Sequence, residues 1–156
     1  MSPTASDALS KQRLRLWLHL LRTTRSIEAD LREFLRVAHQ TTLPRFDVMA
    51  ALYRSPEPQT MTELSRHLLV SNGNITTVVD RLVKDGLARR EPHEHDRRSL
   101  RVSLTVAGLD QFAAMAAGHE QHVNALFAGL DAETIVELNR LLQRCEHPDA
   151  PMGALS

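Results

Sequence analysis

Aromatic side chains are scarce in this chain: one Trp, one Tyr and four Phe among 156 residues. The length allows one domain or a little more, and its core must be filled mainly by Leu, Val and Ala. Cysteine occurs once, at Cys145, which excludes an internal disulfide, and the simplest placement is a reducing cytoplasm. Cys145 falls on the apolar side of the last expected helix, where core packing is the expected role rather than redox sensing. Residues 1–10 are polar and lack the basic and apolar regions of a secretory leader. No apolar run approaches the roughly 18 residues that a membrane span requires. Also missing are a phosphate-cradling Gly loop, a nucleophile elbow and a zinc-protease helix. His93 with His95, and His119 with His122, make no recognised metal set. The chain is therefore expected to be no enzyme, to hold no metal and to need no cofactor.

The zero net charge conceals an asymmetry. Residues 1–104 carry 17 Lys and Arg against 12 Asp and Glu, whereas residues 105–156 carry 2 against 7. A basic front and an acidic back suit a protein that meets a polyanion on one side, although an ordinary fluctuation would give the same totals.

What is there is mostly helix. Residues 7–39 read as one long helix, with Leu14, Trp17, Leu18, Leu21, Ile27, Leu31, Phe34, Leu35 and Ala38 at three- and four-residue steps. Thr41, Thr42 and Pro44 break it, and Pro44 opens a second helix that stops by Pro56. Thr60 and Glu63 have the spacing of a capping box for a short helix burying Leu64 and Leu68. Ser71 is the expected N-cap of the next helix, whose apolar stripe is Ile75, Val78, Val79, Leu82 and Val83, with Gly86 at its C′ position. Residues 88–91 form a weak strand and residues 100–104 an alternating one, joined by a polar tip over residues 92–99. Thr105 caps a helix reaching about residue 129, and Asp131 caps a last one with Ile135, Leu138, Leu141 and Leu142. Residues 148–156 form a tail expected to be disordered. The terminal helices outrun a compact core, so their apolar residues need a second copy of the chain to cover them.

The order helix, helix, basic hairpin is that of a DNA-reading device. The helix after Ser71 begins with short hydrogen-bonding side chains: Ser71, Asn72, Asn74, Thr76 and Thr77, followed by Arg81 and Lys84. Asn can pair bidentately with adenine, a Thr methyl can touch a thymine methyl, and the free N–H groups of a helix start favour a phosphate. Asp80 does not suit DNA and is expected to pair with Lys84 or to tie down the hairpin. Arg97, Arg98 and Arg101, with Arg89 and Arg90 opposite, make a basic ribbon whose tip suits a narrow minor groove. Asp96 is placed to orient Arg98. Taken singly, each of these elements could be a solvated surface, and it is their succession that favours DNA.

Residues 75–108, ITTVVDRLVKDGLARREPHEHDRRSLRVSLTVAG, closely resemble the MarR family of winged-helix transcription regulators. The family pattern runs V-T-x-x-V-D-R-L, G-L, D-R-R and L-T-x-x-G, and it falls without gaps on Thr76, Val79, Asp80, Arg81, Gly86, Leu87, Asp96, Arg97, Arg98, Thr105 and Gly108. The departures are Val83, where an acidic residue is common, and Ala88, where Val or Ile is usual. A weaker resemblance, in helix order and length, extends over residues 14–142.

The resemblance implies a mainly α fold with a small two-stranded β-wing, a winged helix-turn-helix that is dimeric through its terminal helices. Residues 1–42 would be a dimerisation helix, residues 43–106 the DNA-binding region and residues 107–147 the C-terminal dimerisation helices. It implies a regulator, a repressor in the simplest case, that holds a pseudo-palindromic operator as a homodimer and is released by a small anionic aromatic effector. Residues 43–52 resemble the branch that controls aromatic-acid catabolism, where the effector is a free acid or an aromatic acyl-CoA thioester. An effector pocket is expected where the first, second and fifth helices meet. Arg36 or His39 would face a carboxylate there, and Phe46, Met49, Tyr53, Phe112 and Met115 would hold a ring. Each of these residues is individually as well suited to the core or to solvent. A winged helix used only to bind other proteins is the rival reading.

Overall fold

A computed structural model describes residues 5–68, 72–93 and 96–146, with backbone alone for residues 5–6, 72–73, 93 and 96–98. The expected tail lies outside the described residues. The chain divides into two compact units, residues 1–122 and residues 123–156.

The first unit opens with α1 (Ala5–His39), 35 residues without Pro or Gly. The first buried residue along it is Leu31, so its earlier turns contribute nothing to the core of a single chain. Gln40 ends it with φ of 49°, and Thr41 N–H donates to the Leu35 carbonyl at 3.2 Å, a left-handed C-terminal cap made without glycine. In α2 (Leu43–Arg54), Thr42 Oγ1 accepts from Arg45 N–H, and Pro44 sits in the first turn, where its missing donor costs nothing.

β1 (Gln59–Thr60) leads directly into α3 (Met61–His67). The expected capping box is present: Glu63 N–H donates to Thr60 Oγ1 at 3.2 Å, and Thr60 N–H donates to Glu63 Oε2 at 2.8 Å. Such caps contribute about 1 kcal/mol. Next come α4 (Asn72–Lys84), β2 (Ala88–His93), β3 (Asp96–Leu104) and α5 (Val106–Leu126).

The sheet differs from the two-stranded wing expected. It has three antiparallel strands in the order β1-β3-β2, with Gln59 opposite Val102 and Thr60 opposite Arg101. Two residues cannot display a period of two, and Thr60 already serves as a helix cap, so the third strand has no signature of its own. The hairpin is also longer than its apolar alternation indicates, with β2 and β3 paired from Ala88–Leu104 to His93–Asp96 and an irregularity at Pro92/His93. Backbone pairing carries these polar residues where side-chain pattern does not.

One lock joins the wing to α5. Gly86 takes φ of 73°, ending α4 as a left-handed C′ residue. Thr105 Oγ1 donates to the Gly86 carbonyl at 2.6 Å and accepts from Gly108 N–H at 3.0 Å, while Thr105 N–H donates to the Leu87 carbonyl. A Cβ on Gly108 would stand 2.0 Å from that carbonyl oxygen. The core gathers Leu35, Leu64, Val79, Leu82 and Val102, all wholly buried, with Phe46, Met49, Phe112 and Met115. Each such side chain contributes about 1.5–3 kcal/mol by burial.

The second unit holds the end of α5 and α6 (Ala132–Glu146), which begins where Thr134 N–H donates to Asp131 Oδ1 at 2.9 Å. No residue of α6 is buried, so Cys145 is exposed and not the core residue expected. Its helical face of Ile135, Leu138, Leu141 and Leu142 is likewise exposed in the single chain. An amphipathic helix whose apolar face stays uncovered gives its cysteine no interior to join.

Candidate nucleic-acid interface

The two sides of α4 are sharply different. Ile75, Val78, Val79 and Leu82 are buried, whereas Asn74, Thr76, Thr77, Arg81 and Lys84 are exposed. The apolar stripe pins the helix to the core, so the polar face is held outward by packing rather than by its own contacts. Arg81 and Lys84 have no ion-pair partner among the described residues, so their charges stay available to a polyanion. Ser71, the expected N-cap, lies outside the described residues, as does the side chain of Asn72.

Asp80 settles on the second of its two expected roles. Its carboxylate meets Arg90 of β2 at 2.6 Å, with the guanidinium largely covered, and not Lys84. The pair ties the hairpin to α4. Arg45 of α2 similarly holds Asp85, just past α4, at 2.7 Å. Short charge-assisted contacts thus fix α4 to the wing through Asp80 and the end of α4 to α2 through Asp85.

The basic ribbon is partly spent on the protein itself. Arg90 is taken by Asp80, and Arg89 Nε meets Glu91 at 2.6 Å and Ser103 Oγ at 3.2 Å. Arg101 lies mid-strand on β3, half-buried, opposite Glu91 on β2 and Thr60 on β1. The side chains of Asp96, Arg97 and Arg98, and with them the expected Asp96–Arg98 pair, lie outside the described residues.

Of the expected effector residues, the structure brings some together and leaves others apart. Phe46 and Phe112 pack with centroids 5.5 Å apart, and Tyr53 meets Phe112 at 4.8 Å. Met49 and Met115 are buried in the same cluster. His39 stands edge-on to Phe34 at 5.5 Å. Arg36 does not join them, because both nitrogens of its fork bind Glu33 at 2.9 and 2.7 Å on the exposed side of α1.

Two residues not expected there complete the seam between α1, α2 and α5. His119 stacks on Phe46 at 4.3 Å, and His122 stacks on Phe34 at 4.8 Å. Burial, and then the charge of His122, hold the His119 imidazole below its ordinary pKa. His122 Nε2 is buried without a hydrogen-bond partner. Elsewhere on α2, burial, aided by Glu28 of α1, pushes the Asp47 carboxyl above its ordinary value. The missed signal was spacing: Phe112, Met115 and His119 follow at three- and four-residue steps on one helix face.

Residues 39–99 match the family model described as MarR family. Over 103 residues the chain is 30% identical to the HTH-type transcriptional regulator PecS of Dickeya dadantii, covering 65% of this chain and 62% of PecS. The chain thus spans less than two thirds of that curated relative's length. Its fold overlays a MarR family transcriptional regulator from Silicibacter pomeroyi with TM-score 0.77 and 30% identity, covering 90% of this chain and 97% of that one. It is also similar to a cysteine-to-serine mutant of E. coli MarR complexed with operator DNA, with TM-score 0.76, 25% identity and coverage of 86% and 95%. The overlay on the Silicibacter protein is 30% identical and runs almost end to end, and the helix and hairpin residues joined by the Asp80–Arg90 tie lie within the residues matched by the family model: this chain belongs to the MarR family.

Proposed function

We propose that the chain is a DNA-binding transcription regulator that acts as a homodimer, represses from a pseudo-palindromic operator and is released by a small effector. The observation that carries this reading is the exposed polar face of α4, held rigid by a buried opposite face and tied to the wing through Asp80 and Arg90. In this reading α4 enters the major groove, with Asn74, Thr76 and Thr77 at base edges and Arg81 and Lys84 at phosphates. The wing carries Arg97 and Arg98 toward the minor groove. Residues 43–106 form the DNA-reading part, and residues 1–42 and 107–147 join two copies. Support for the dimer is that Leu14, Trp17 and Leu18 of α1, and Leu138, Leu141 and Leu142 of α6, are exposed in the single chain.

The effector belongs in the seam of Phe46, Phe112, His39, His119 and His122, where a ring has stacking partners and an acid group has imidazoles. Its class is an aromatic acid or the corresponding CoA thioester. Release is a population shift: effector binds better to dimers whose two reading helices miss the half-site spacing of about 10 base pairs.

Fluorescence anisotropy on the DNA upstream of its own coding sequence tests the reading. The expected result is tight binding whose logarithm falls linearly with the logarithm of salt, released by one compound class. Affinity no greater than that for random DNA at any salt would instead make the winged helix a protein-binding module.

A further inference from the structure

A cavity of about 310 Å³ shares Tyr53 with the seam of rings but is lined by none of its other residues and by none of the exposed face of α4. It is lined by the end of α2, residues 55–58, the base of the β2–β3 hairpin and the first turn of α5, and it opens to solvent. Leu52, Leu109 and the ring of Tyr53 form its apolar wall. Tyr53 is fixed from behind by Phe112 at 4.8 Å, so the wall is preformed. The polar residues are Arg89, Ser103, Glu57 and Ser55, the last donating its hydroxyl to the Ala51 carbonyl at 3.0 Å.

These polar groups have unused capacity. The contacts of Arg89 with Glu91 and Ser103 run through Nε, and among the described residues the end-on edge of its guanidinium has no hydrogen-bond partner. Ser103 Oγ accepts from Arg89 and keeps its own O–H to donate. Among the described residues the Glu57 carboxylate has no hydrogen bond or ion pair, and Pro56 and Pro58 hold its backbone stiff on either side. A guanidinium edge and a hydroxyl favour a carboxylate, and a free carboxylate on another wall favours a donor such as hydroxyl or amine. The volume is at the lower end of the roughly 300–1,000 Å³ of ligand sites and suits one ring with its substituents rather than a nucleotide.

We infer that this cavity is a second small-molecule site, taking a single-ring carboxylic acid that carries a hydroxyl or amino group. The carboxylate binds the open edge of Arg89 and the hydroxyl of Ser103, the ring lies against Tyr53, Leu52 and Leu109, and the donor reaches Glu57. Since Arg89 and Ser103 are paired residues of the hairpin's base strands, occupancy acts directly on the wing.

Tyr53 is the chain's single tyrosine, so labelling the full protein with 3-fluorotyrosine puts one fluorine signal in the wall of the cavity. Titration with 4-hydroxybenzoate is expected to move that signal saturably. Arg89→Gln, on an exposed strand position, should weaken the apparent affinity by about tenfold, a loss of about 1.4 kcal/mol. Benzoate should bind several-fold more weakly than 4-hydroxybenzoate, and Glu57→Gln should narrow that gap. A signal that stays fixed up to about 10 mM would overturn the proposal, since any affinity would then be weaker than about 3 kcal/mol. A shift that survives Arg89→Gln unchanged would overturn it too, by placing the ligand on the Phe112 side of the ring. Neither outcome touches DNA binding, which is read separately by anisotropy.

Discussion

At the scale of single residues, Gly108 shows why a family motif has the letters it has. A side chain there would collide with the Leu87 carbonyl, which is held in place by the Thr105 N–H. Backbone cannot yield as a flexible side chain can, so Gly108→Ala is expected to destabilise the protein by about 3 kcal/mol, the upper range of overpacking. Urea unfolding measures this, and a loss below about 1 kcal/mol would show that the α5 start simply slides away. His119 makes a different kind of statement. Its pKa is held below the ordinary value by burial and by His122, so the folded state prefers the neutral ring. The stability linked to it is therefore complete above the unfolded pKa of about 6.5 and is lost as pH falls through that value toward the folded one. The urea midpoint should drop as pH is lowered from about 7 to about 5.5, and His119→Phe, which keeps the stack on Phe46, should flatten that drop. An identical slope in the variant would remove His119 as its cause.

At the scale of elements, the Asp80–Arg90 pair acts as a brace between α4 and the wing. Both groups are partly exposed, so breaking the pair by Asp80→Asn should cost under about 1 kcal/mol of stability. Operator affinity should fall further, by about tenfold, because the wing is no longer set against the helix. Matched urea and anisotropy measurements separate the two effects, and a loss of affinity no larger than the loss of stability would reduce the pair to an ordinary surface contact. The same elements show what was legible beforehand. Thr60 with Glu63, Gly86, Thr105 and Asp131 declare themselves because a cap or a left-handed turn needs a given residue type at a fixed short spacing, whereas Gly108 was legible only as a letter of the family motif. The apolar stripe of α4 is legible for the same reason, as a local period. Asp80 had two candidate partners, and only the return of the chain through the hairpin decides for Arg90. The seam was half legible: its phenylalanines stood out as rings, but His119 and His122, weighed only as metal ligands and set aside, had no role until folding laid Phe46 and Phe34 on them. Arg36 fails as a seam residue because Glu33, one turn away, offers its guanidinium a nearer carboxylate.

At the scale of the whole molecule, the question is what an uncovered apolar helix face is for. In α6, Ile135, Leu138, Leu141 and Leu142 recur at helical spacing and none is buried, although one face of such a helix is expected to meet protein. In the dimer reading a second copy covers it, and coupling two half-sites multiplies affinity without new base contacts, by about 10² to 10⁴. Leu138→Glu places a charge in that face, and Leu138 is not a member of the buried core cluster. The variant should therefore melt as a folded protein, sediment as a monomer at concentrations where the unaltered chain is dimeric, and lose at least about 100-fold in operator affinity. Its binding to a single half-site, already weak, should be unchanged, because α4 and its brace are intact. A monomer that keeps full affinity for the complete operator would break the link between the apolar face and DNA reading, and a dimer that persists would move the interface to Leu14 and Trp17 of α1.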